Sequence, residues 1–353
     1  MEIFIATLAA ILGAGFASGR EVWVFFGAHG PSAVALGSLG AALLGAAAWR
    51  TVERTSGGGD PLQQLFGKHR RTAQILLGLF SLLTFAAVVA VLGSVGRVYW
   101  HLPNALGALA AAACAAAMAA AGQQRQRRFQ AALLAAVFAC GLTASGIALA
   151  RPAVPAAGGG LSLQAMLGVF GFAAYNIALA TDGIARSAAV GGRRGAVWAA
   201  AGGLMAGLLL TLEATALSRH GALVAHRDLP LVTLAASIHG ALGALAALTV
   251  VLAGLSAASS FAVAAGDLVG GPWVAAAVAF GLSLLGVQTV VDRGYPVMAA
   301  VASAWLIVLL WGKPPRRIAV IRRKGDSTES VRGRETSAQS QRRRGDVRQG
   351  RAP

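Results

Sequence analysis

The stretch LGAGFASGRE, residues 12–21, places three glycines inside the first apolar segment of the chain and an arginine and a glutamate directly after it. Glycine adopts backbone conformations that other residues avoid. In lipid, a break in a helix leaves backbone N–H and C=O groups unsatisfied, and it is tolerated only where protein or a water-filled cavity surrounds it. The stretch therefore predicts a first membrane helix that is broken midway, with Arg20 and Glu21 opening its second half.

A second interpretation ends the first span at Gly19 and places the two charges in the loop outside the membrane. Against it, the apolar run VWVFFG, residues 22–27, follows the charges at once, and the next long apolar segment begins only after Pro31. An ionisable residue at membrane depth is a functional-site hypothesis by default. We therefore favour the broken helix.

The composition excludes an ordinary soluble domain. Of the 353 residues, 56% are hydrophobic and 12% are charged, whereas soluble domains carry about 25% charged residues. A membrane helix needs roughly 20 mostly apolar residues, and segments rich in Ala, Gly and Leu suit helices better than the alternating strands of a barrel. The sequence predicts an all-α polytopic membrane protein. Its ten transmembrane helices are predicted at residues 2–27, 32–49, 73–96, 104–121, 129–150, 164–185, 195–217, 240–265, 272–290 and 296–312.

Positive charge is distributed unevenly between the two sides of the predicted bundle. Lys and Arg concentrate after spans two, four and six and in the tail, whereas the alternate loops hold five arginines in all. Short loops rich in Lys and Arg stay in the cytoplasm. We therefore predict a multi-pass protein of the bacterial cell membrane with both termini in the cytoplasm.

The tail, residues 313–353, is polar and strongly basic, and it is predicted to be disordered. It is interpreted as a solvated orientation signal, as a contact with anionic lipid of the inner leaflet, or as a nucleic-acid-binding segment. Because the tail is tethered directly to the membrane, the first two interpretations are favoured. We expect membrane lipid as a partner and no nucleic acid.

An internal similarity predicts a second interrupted helix. Transporters built from inverted repeats carry broken helices at matching positions of their two halves, and ten spans divide as five plus five. LGAGFASG at residues 12–19 is echoed by LGVFGFAAYN at residues 167–176, in the first span of the second half. Helices 1 and 6 are therefore predicted to be discontinuous. The predicted transmembrane domain occupies residues 1–312, with its first repeat at 1–150 and its second at 160–312. The tail occupies residues 313–353.

Two motifs resemble a known family. GAGFASGREVWVFFG, residues 13–27, closely resembles the hallmark of the YkvI-like bacterial membrane proteins, and AAYNIALA, residues 173–180, resembles the sixth-span motif of that group. The group is similar to the amino acid–polyamine–organocation transporters, which share the LeuT-type fold. The resemblance implies a 5+5 inverted repeat in which broken helices 1 and 6 hold the substrate between them.

The resemblance also implies the residues of the site. The candidate substrate-binding residues are Gly13, Ala14, Gly15, Phe16, Ala17, Ser18, Gly19, Phe172, Tyr175 and Asn176. In LeuT-type sodium symporters, hydroxyls of helix 8 and carbonyls of helix 1 bind a cation. This implies a candidate Na⁺ site at Ser259 and Ser260, with Ser256 one turn earlier, and no other metal or cofactor. Serines in membrane helices also bond back to carbonyls of their own helix, and that alternative stays open.

Arg20 and Glu21 are candidates for gating or ion coupling. Glu21 would pair with Arg20 or another basic group as a gate, bind a cationic substrate, or carry a proton, and a purely structural ion pair is the alternative. Free N–H groups at the start of a half-helix suit a carboxylate, and carbonyls freed at the break suit an ammonium group or Na⁺. Glu213 is predicted near the outer end of span seven, where it would snorkel towards the interface and have no special role.

The sequence thus predicts a secondary transporter for amino acids or related small solutes, coupled to Na⁺ or H⁺. A non-transporting membrane sensor or scaffold that keeps the transporter fold is the alternative. An enzyme is not expected, because the six histidines lack the HExxH spacing and the glycine-rich loops lack the GK[ST] of a P-loop.

Overall fold

The computed structural model describes residues 2–12, 14–55, 60–155, 159–188 and 192–311. Within these ranges the chain forms helices joined by short connections, and no strand occurs. Gly13 and the tail at residues 313–353, for which the sequence analysis made predictions, lie outside them.

The α-helices are numbered here in chain order. Helices α1–α8 lie at Glu2–Ile11, Ala14–Ser18, Arg20–Phe25, Ala33–Thr55, Pro61–Phe66, Arg70–Trp100, Asn104–Ala120 and Gln123–Leu149. Helices α9–α16 lie at Leu163–Ala188, Gly192–Arg219, Gly221–Val224, Pro230–Ile238, Gly240–Val269, Pro272–Ser283, Val287–Thr289 and Tyr295–Trp311. A 3₁₀ segment, Gly27–Ser32, precedes α4, and a π-helical turn, Val290–Gly294, joins α15 to α16.

Many of these helices are long and apolar enough to cross a membrane. In the described ranges there are seven, at Gly27–Thr55, Pro61–Trp100, Ala132–Leu149, Leu163–Ala185, Arg194–Arg219, Gly240–Val269 and Val287–Trp311. The apolar helices α7 and α14 are shorter, and α1–α3 occupy the first predicted span. The protein is therefore an all-helical, multi-pass membrane protein. The ten-span count and the inverted repeat stay predictions.

The first span is broken where the glycines predicted it. Helix α1 ends at Ile11, α2 ends at Ser18, and α3 begins at Arg20. Between α2 and α3, Gly19 adopts a left-handed conformation with φ 78°. A Cβ at this position would lie 2.8 Å from the Cβ and the amide nitrogen of Leu231 on α12. Glycine is therefore required here both for the backbone conformation and for the close approach of α12.

The predicted break in the sixth span is wrong. Helix α9 runs as one α-helix from Leu163 to Ala188, through Phe172, Tyr175 and Asn176. Gly171, which suggested the interruption, serves helix packing instead, since a Cβ there would lie 2.7 Å from the Cβ of Ala299 on α16. Small residues let membrane helices approach closely without unwinding, so a glycine-rich motif does not by itself distinguish a break from a contact.

Helices α4 and α10 form a seam built on small residues. Gly37 of α4 meets Thr211 of α10, whereas Gly45, two turns later on α4, meets Leu204, two turns earlier on α10. The contacts advance along one helix as they retreat along the other, so the two helices are antiparallel. A Cβ on Gly203 would lie 2.6 Å from the carbonyl oxygen of Leu44. Close backbone contact of this kind replaces hydrophobic burial as the source of stability in lipid.

We therefore expect Gly203→Ala to destabilise the bundle by about 1–3 kcal/mol, since the added methyl group meets backbone that has no freedom to move. Thermal unfolding in detergent, followed by tryptophan fluorescence, measures the effect. Gly146→Ala on α8 is the matched control, because nothing lies within 4 Å of its Cβ position. Equal unfolding midpoints for the two variants would contradict the packing role of the seam.

Candidate functional site

Arg20 is held at four points at the start of α3. Its Nε donates a hydrogen bond to Oδ1 of Asp292 at 3.0 Å, and Nη2 donates to Oδ2 of the same carboxylate. Its Nη1 donates to the carbonyl oxygens of Ala225 and Arg227 at 3.0 and 3.2 Å. Bidentate pairing of a guanidinium with a carboxylate both stabilises the pair and fixes the orientation of the two side chains. Arg20 therefore ties the broken helix to the π-helical turn before α16 and to the segment between α11 and α12.

This tie lies at the end of the bundle that the arginine distribution places outside the cell, called here the outer end. The whole Arg20 residue is 4% exposed, whereas the side chain of Asp292 is 38% exposed. The Arg20 side of the pair is thus buried, and the Asp292 side is partly exposed. The gate role of Arg20 stays a prediction.

Glu21, the next residue, points to a different partner. It is 6% exposed and accepts a hydrogen bond at 2.7 Å from the hydroxyl of Tyr175 on α9. Tyr295, the first residue of α16, interacts with the same carboxyl group, although its hydroxyl has no partner of good hydrogen-bond geometry among the described residues. The structure therefore joins two predicted site residues, Glu21 and Tyr175, that are 154 positions apart.

Aromatic rings surround this carboxyl group. The rings of Tyr175 and Tyr295 lie 5.3 Å apart, and those of Phe172 and Tyr175 lie 5.5 Å apart. From the broken helix, Phe25 contacts both Phe172 and Tyr175, at 5.5 and 5.9 Å, and Phe26 contacts Phe172 at 4.9 Å. The cluster is an apolar cage with one acidic group in its wall.

The remaining substrate-binding candidates fall into two groups. Phe16, Ala17 and Ser18 are buried on α2, and the amide of Asn176 donates to the carbonyl of Phe172 at 3.0 Å, within its own helix. Ala14 and Gly15 belong to α2, and only the backbone is described at these two positions. The groups that form the cage come from α3 and the following Phe26, from α9 and from α16.

The free amide predicted at the start of the second half-helix is engaged instead. The N–H of Arg20 donates to the hydroxyl of Ser18 at 3.3 Å. The N–H of Gly19 donates to the carbonyl of Phe16 at 3.0 Å. Because α3 has only six residues, it offers little helix dipole to an anion. The amides of Gly19 and Arg20 are thus satisfied locally, and carboxylate binding at the start of this half-helix stays a prediction.

The hydroxyls of the candidate cation site make hydrogen bonds within their own helix. Helix α13 packs against α2, as a site shared by helices 1 and 8 requires. The hydroxyls of Ser259 and Ser260 both donate to the carbonyl of Ser256, at 2.8 and 3.3 Å. This is the back-bonding alternative that the sequence left open. Na⁺ binding at Ser259 and Ser260 stays a prediction.

Asp292 and Tyr295 complete the site but were not predicted. Both residues lie in the connection between the last two predicted spans, residues 291–295, which the hydropathy pattern treats as a loop. The one available signal was the acidic residue itself, since a buried Arg20 needs a counter-charge. Nothing in the spacing distinguishes Asp292 from the other acidic residues, so the three-dimensional structure was needed.

A surface cavity of about 200 Å³ lies at the outer end, beside the Arg20 tie. Asp228 in its wall accepts hydrogen bonds from Ser94, Arg97 and Gln288, at 3.0, 2.9 and 3.1 Å. Arg227, next to Asp228, and Asp292, four residues after Gln288, also hold Arg20. The cavity and the ion pair therefore share the same two connecting segments.

Comparisons with known proteins reveal a similar fold. A solved structure of a manganese transporter from Eremococcus coleocola, in complex with an aromatic bis-isothiourea substituted compound, superposes with a TM-score of 0.58 and 16% sequence identity, over 88% of this chain and 77% of that chain. Two mutants of the same transporter give TM-scores of 0.55 and 0.54 at 14% and 15% identity, with the same coverage. At this identity the likeness shows the fold alone.

No protein-family profile matches the sequence, and the search of curated proteins found no match. The structural likeness supports the broad expectation of a transporter-type membrane fold. The YkvI-like and amino acid–polyamine–organocation relationships stay predictions.

We expect Asp292→Asn to lower the free energy of unfolding by about 1–3 kcal/mol, because Arg20 keeps its burial but loses its counter-charge. The effect stays below the about 3–5 kcal/mol of a fully buried pair, since Asp292 is 38% exposed. Unfolding midpoints in detergent measure it. Glu53→Gln is the control, because its ion pair with Arg50 is exposed and exposed pairs contribute about 0–1 kcal/mol. Equal losses for the two variants would show that Arg20 does not depend on Asp292.

Proposed function

We propose that the protein is a secondary transporter for amino acids or related small amines, coupled to Na⁺ or H⁺. The observation that supports this most directly is the broken first helix, which brings the carboxyl group of Glu21 against Tyr175 of α9. Irregular backbone at membrane depth is tolerated where it lines a substrate path, and buried acidic groups there mark such paths.

The chemistry of the cage favours an amino group as the part of the substrate that it recognises. Tyr175 contacts the carboxyl group of Glu21 through its hydroxyl, and the ring of Tyr295 lies 5.3 Å from the ring of Tyr175. A carboxylate and aromatic faces are the two kinds of group that attract an alkylammonium ion. An ammonium group would add donors to Glu21, which accepts one hydrogen bond from Tyr175 and has oxygen lone pairs to spare.

The outer end provides the features of an entry route. The surface cavity beside Asp228 opens next to the pair of Arg20 and Asp292. Separation of that pair would connect the cavity with the region of Glu21, one residue further along α3. We propose that the structure represents a conformation that is closed on this side, and that the ion pair opens when substrate enters.

A divalent metal ion is the second cargo to test, because the similar solved structures are those of a manganese transporter. Metal sites use several carboxylate, imidazole or thiolate ligands. In the part of the chain that the structure describes, no group of three or more His, Cys, Asp or Glu residues is arranged to hold a metal ion. This observation favours the small organic solute.

Proteoliposomes carrying the purified protein test the proposal. We expect an imposed Na⁺ or pH gradient to drive accumulation of labelled amino acids from a mixture of the twenty, above the level in protein-free liposomes. Accumulation of Mn²⁺ without amino acids would replace the proposed cargo by a metal ion. Binding of amino acids without flux, measured by thermal shift, would favour the sensor alternative.

We expect Tyr175→Phe to raise the KM for uptake roughly tenfold or more, because a hydrogen bond to a charged group is worth about 1.5–3 kcal/mol and the ring itself is retained. Tyr99→Phe, at the end of α6, is the matched control, since it removes a hydroxyl away from Glu21. An unchanged KM for Tyr175→Phe, with uptake otherwise normal, would remove Tyr175 from the substrate site.

A further inference from the structure

A second acidic group lies deep in the bundle, apart from the cage. Glu213 on α10 is 0% exposed, and neither of its carboxyl oxygens has a hydrogen-bond partner among the described residues. It lies six residues before the end of α10 at Arg219, which corresponds to about 9 Å along a helix axis. The expectation that Glu213 snorkels to the interface is therefore wrong, because its side chain turns into the protein.

The pocket of Glu213 is formed against α8. Its carboxyl group packs directly on Gly141, where a Cβ would collide with it. Leu209, one turn earlier on α10, lines the same contact. Gly141 therefore provides room for the carboxyl group, and the contact places Glu213 in the seam between the two helices.

The seam continues towards the outer end with further polar groups. Ser145, one turn beyond Gly141, is 0% exposed, and its hydroxyl also lacks a partner among the described residues. His220, two turns beyond Glu213, shares a 2.9 Å hydrogen bond between its Nε2 and the carbonyl oxygen of Ala148. The contacts Gly141–Glu213 and Ala148–His220 both join residues 72 positions apart, so α8 and α10 run parallel. Glu213, Ser145 and His220 thus follow one another towards the outer end.

The charges around Glu213 do not balance a carboxylate. On α8, Cys140 precedes Gly141 and offers a thiol, which supplies no positive charge. On α3, Arg20 is paired with Asp292, and Glu21 with Tyr175.

The other titratable groups on elements packed against α10 lie at helix ends or in the cage. They are Glu2 on α1, His29 in the 3₁₀ segment, Arg50, Glu53 and Arg54 on α4, Arg125, Arg127 and Arg128 on α8, and Tyr175, Asp182 and Arg186 on α9. Apart from His29 and Tyr175, these groups belong to the end that is predicted to face the cytoplasm.

An ionised carboxylate without a counter-charge or a donor is strongly disfavoured in such a place, and the group neutralises by taking up a proton. We propose that Glu213 is a proton-binding site, separate from the cage, which exchanges one proton with water through the seam of Ser145 and His220. In its coupling role the site rests on the proposed transport function. The carboxylate binds H⁺ when water reaches it and is held neutral when the seam is closed, as here.

Infrared difference spectroscopy tests the protonation directly. The spectrum of the wild type minus that of Glu213→Gln, in lipid at pH 8, is expected to contain the carbonyl band of a protonated carboxyl group, and the band is expected to shift in D₂O because the proton exchanges. Glu53→Gln is the matched control and should give carboxylate bands alone, since Glu53 is exposed. A carboxylate signal for Glu213 at this pH would overturn the proposal, as would a protonated band that never shifts in D₂O.

The coupling role needs a transport measurement. Uptake of the twenty labelled amino acids is measured in proteoliposomes, with and without a pH gradient. We expect Glu213→Gln to reduce pH-driven accumulation about tenfold more than it reduces exchange at equal pH. Accumulation at the wild-type level would overturn the coupling role. If the wild type transports none of these amino acids, the proposed function fails, and the infrared result still decides whether Glu213 binds a proton.

Discussion

A backbone break inside a membrane has to find its hydrogen bonds within the protein, because lipid offers none. The first span meets this constraint locally, through the bonds from Gly19 to Phe16 and from Arg20 to the hydroxyl of Ser18. The amide of Trp23 then donates to the carbonyl of Gly19 at 2.9 Å, and a new helix begins. One left-handed glycine and one serine hydroxyl thus allow the chain to stop and restart a helix within the bundle.

The restart determines where the two charges go. Helix α3 begins with Arg20 and Glu21, so both residues enter the protein interior together. A buried charge is stable only with a partner, and adjacent residues on a helix point in different directions. Arg20 therefore finds Asp292 and Glu21 finds Tyr175, both from the second half of the chain. The restart of the broken helix is thus held by two elements from the second half of the chain.

The sequence was sufficient for the parts of the structure that depend on local physical preferences. The break at Gly19 was predictable because glycines and charges conflict with a plain membrane helix. The all-helical, multi-pass character was predictable because apolar segments of about 20 residues form helices that cross the lipid. The same reasoning failed at Gly171, where the glycine serves contact with Ala299. Whether a glycine permits a turn or a neighbour depends on what packs against it, which one sequence does not show.

The sequence predicted some residues of the candidate site but not the contacts between them. Glu21 and Tyr175 stood out because polar groups are rare within apolar segments, but their contact with each other depends on how α3 meets α9. Asp292 and Tyr295 lie at the start of the last apolar segment, where polar residues are ordinary and carry no signal. Burial, which distinguishes Glu213 from a snorkelling residue, likewise depends on the opposing glycine at position 141.

Three acidic side chains in this bundle differ in what surrounds them, and the difference separates their proposed roles. Asp292 has a guanidinium partner in Arg20 and is partly exposed, so its counter-charge is already supplied within the protein. Glu21 has one hydroxyl donor and aromatic neighbours, an environment that an ammonium group would improve. Glu213 has neither donor nor counter-charge among the described residues, so a proton is the ligand that satisfies it. A gate, a substrate contact and a proton site are thus distinguished by the partner that each carboxyl group lacks or already has.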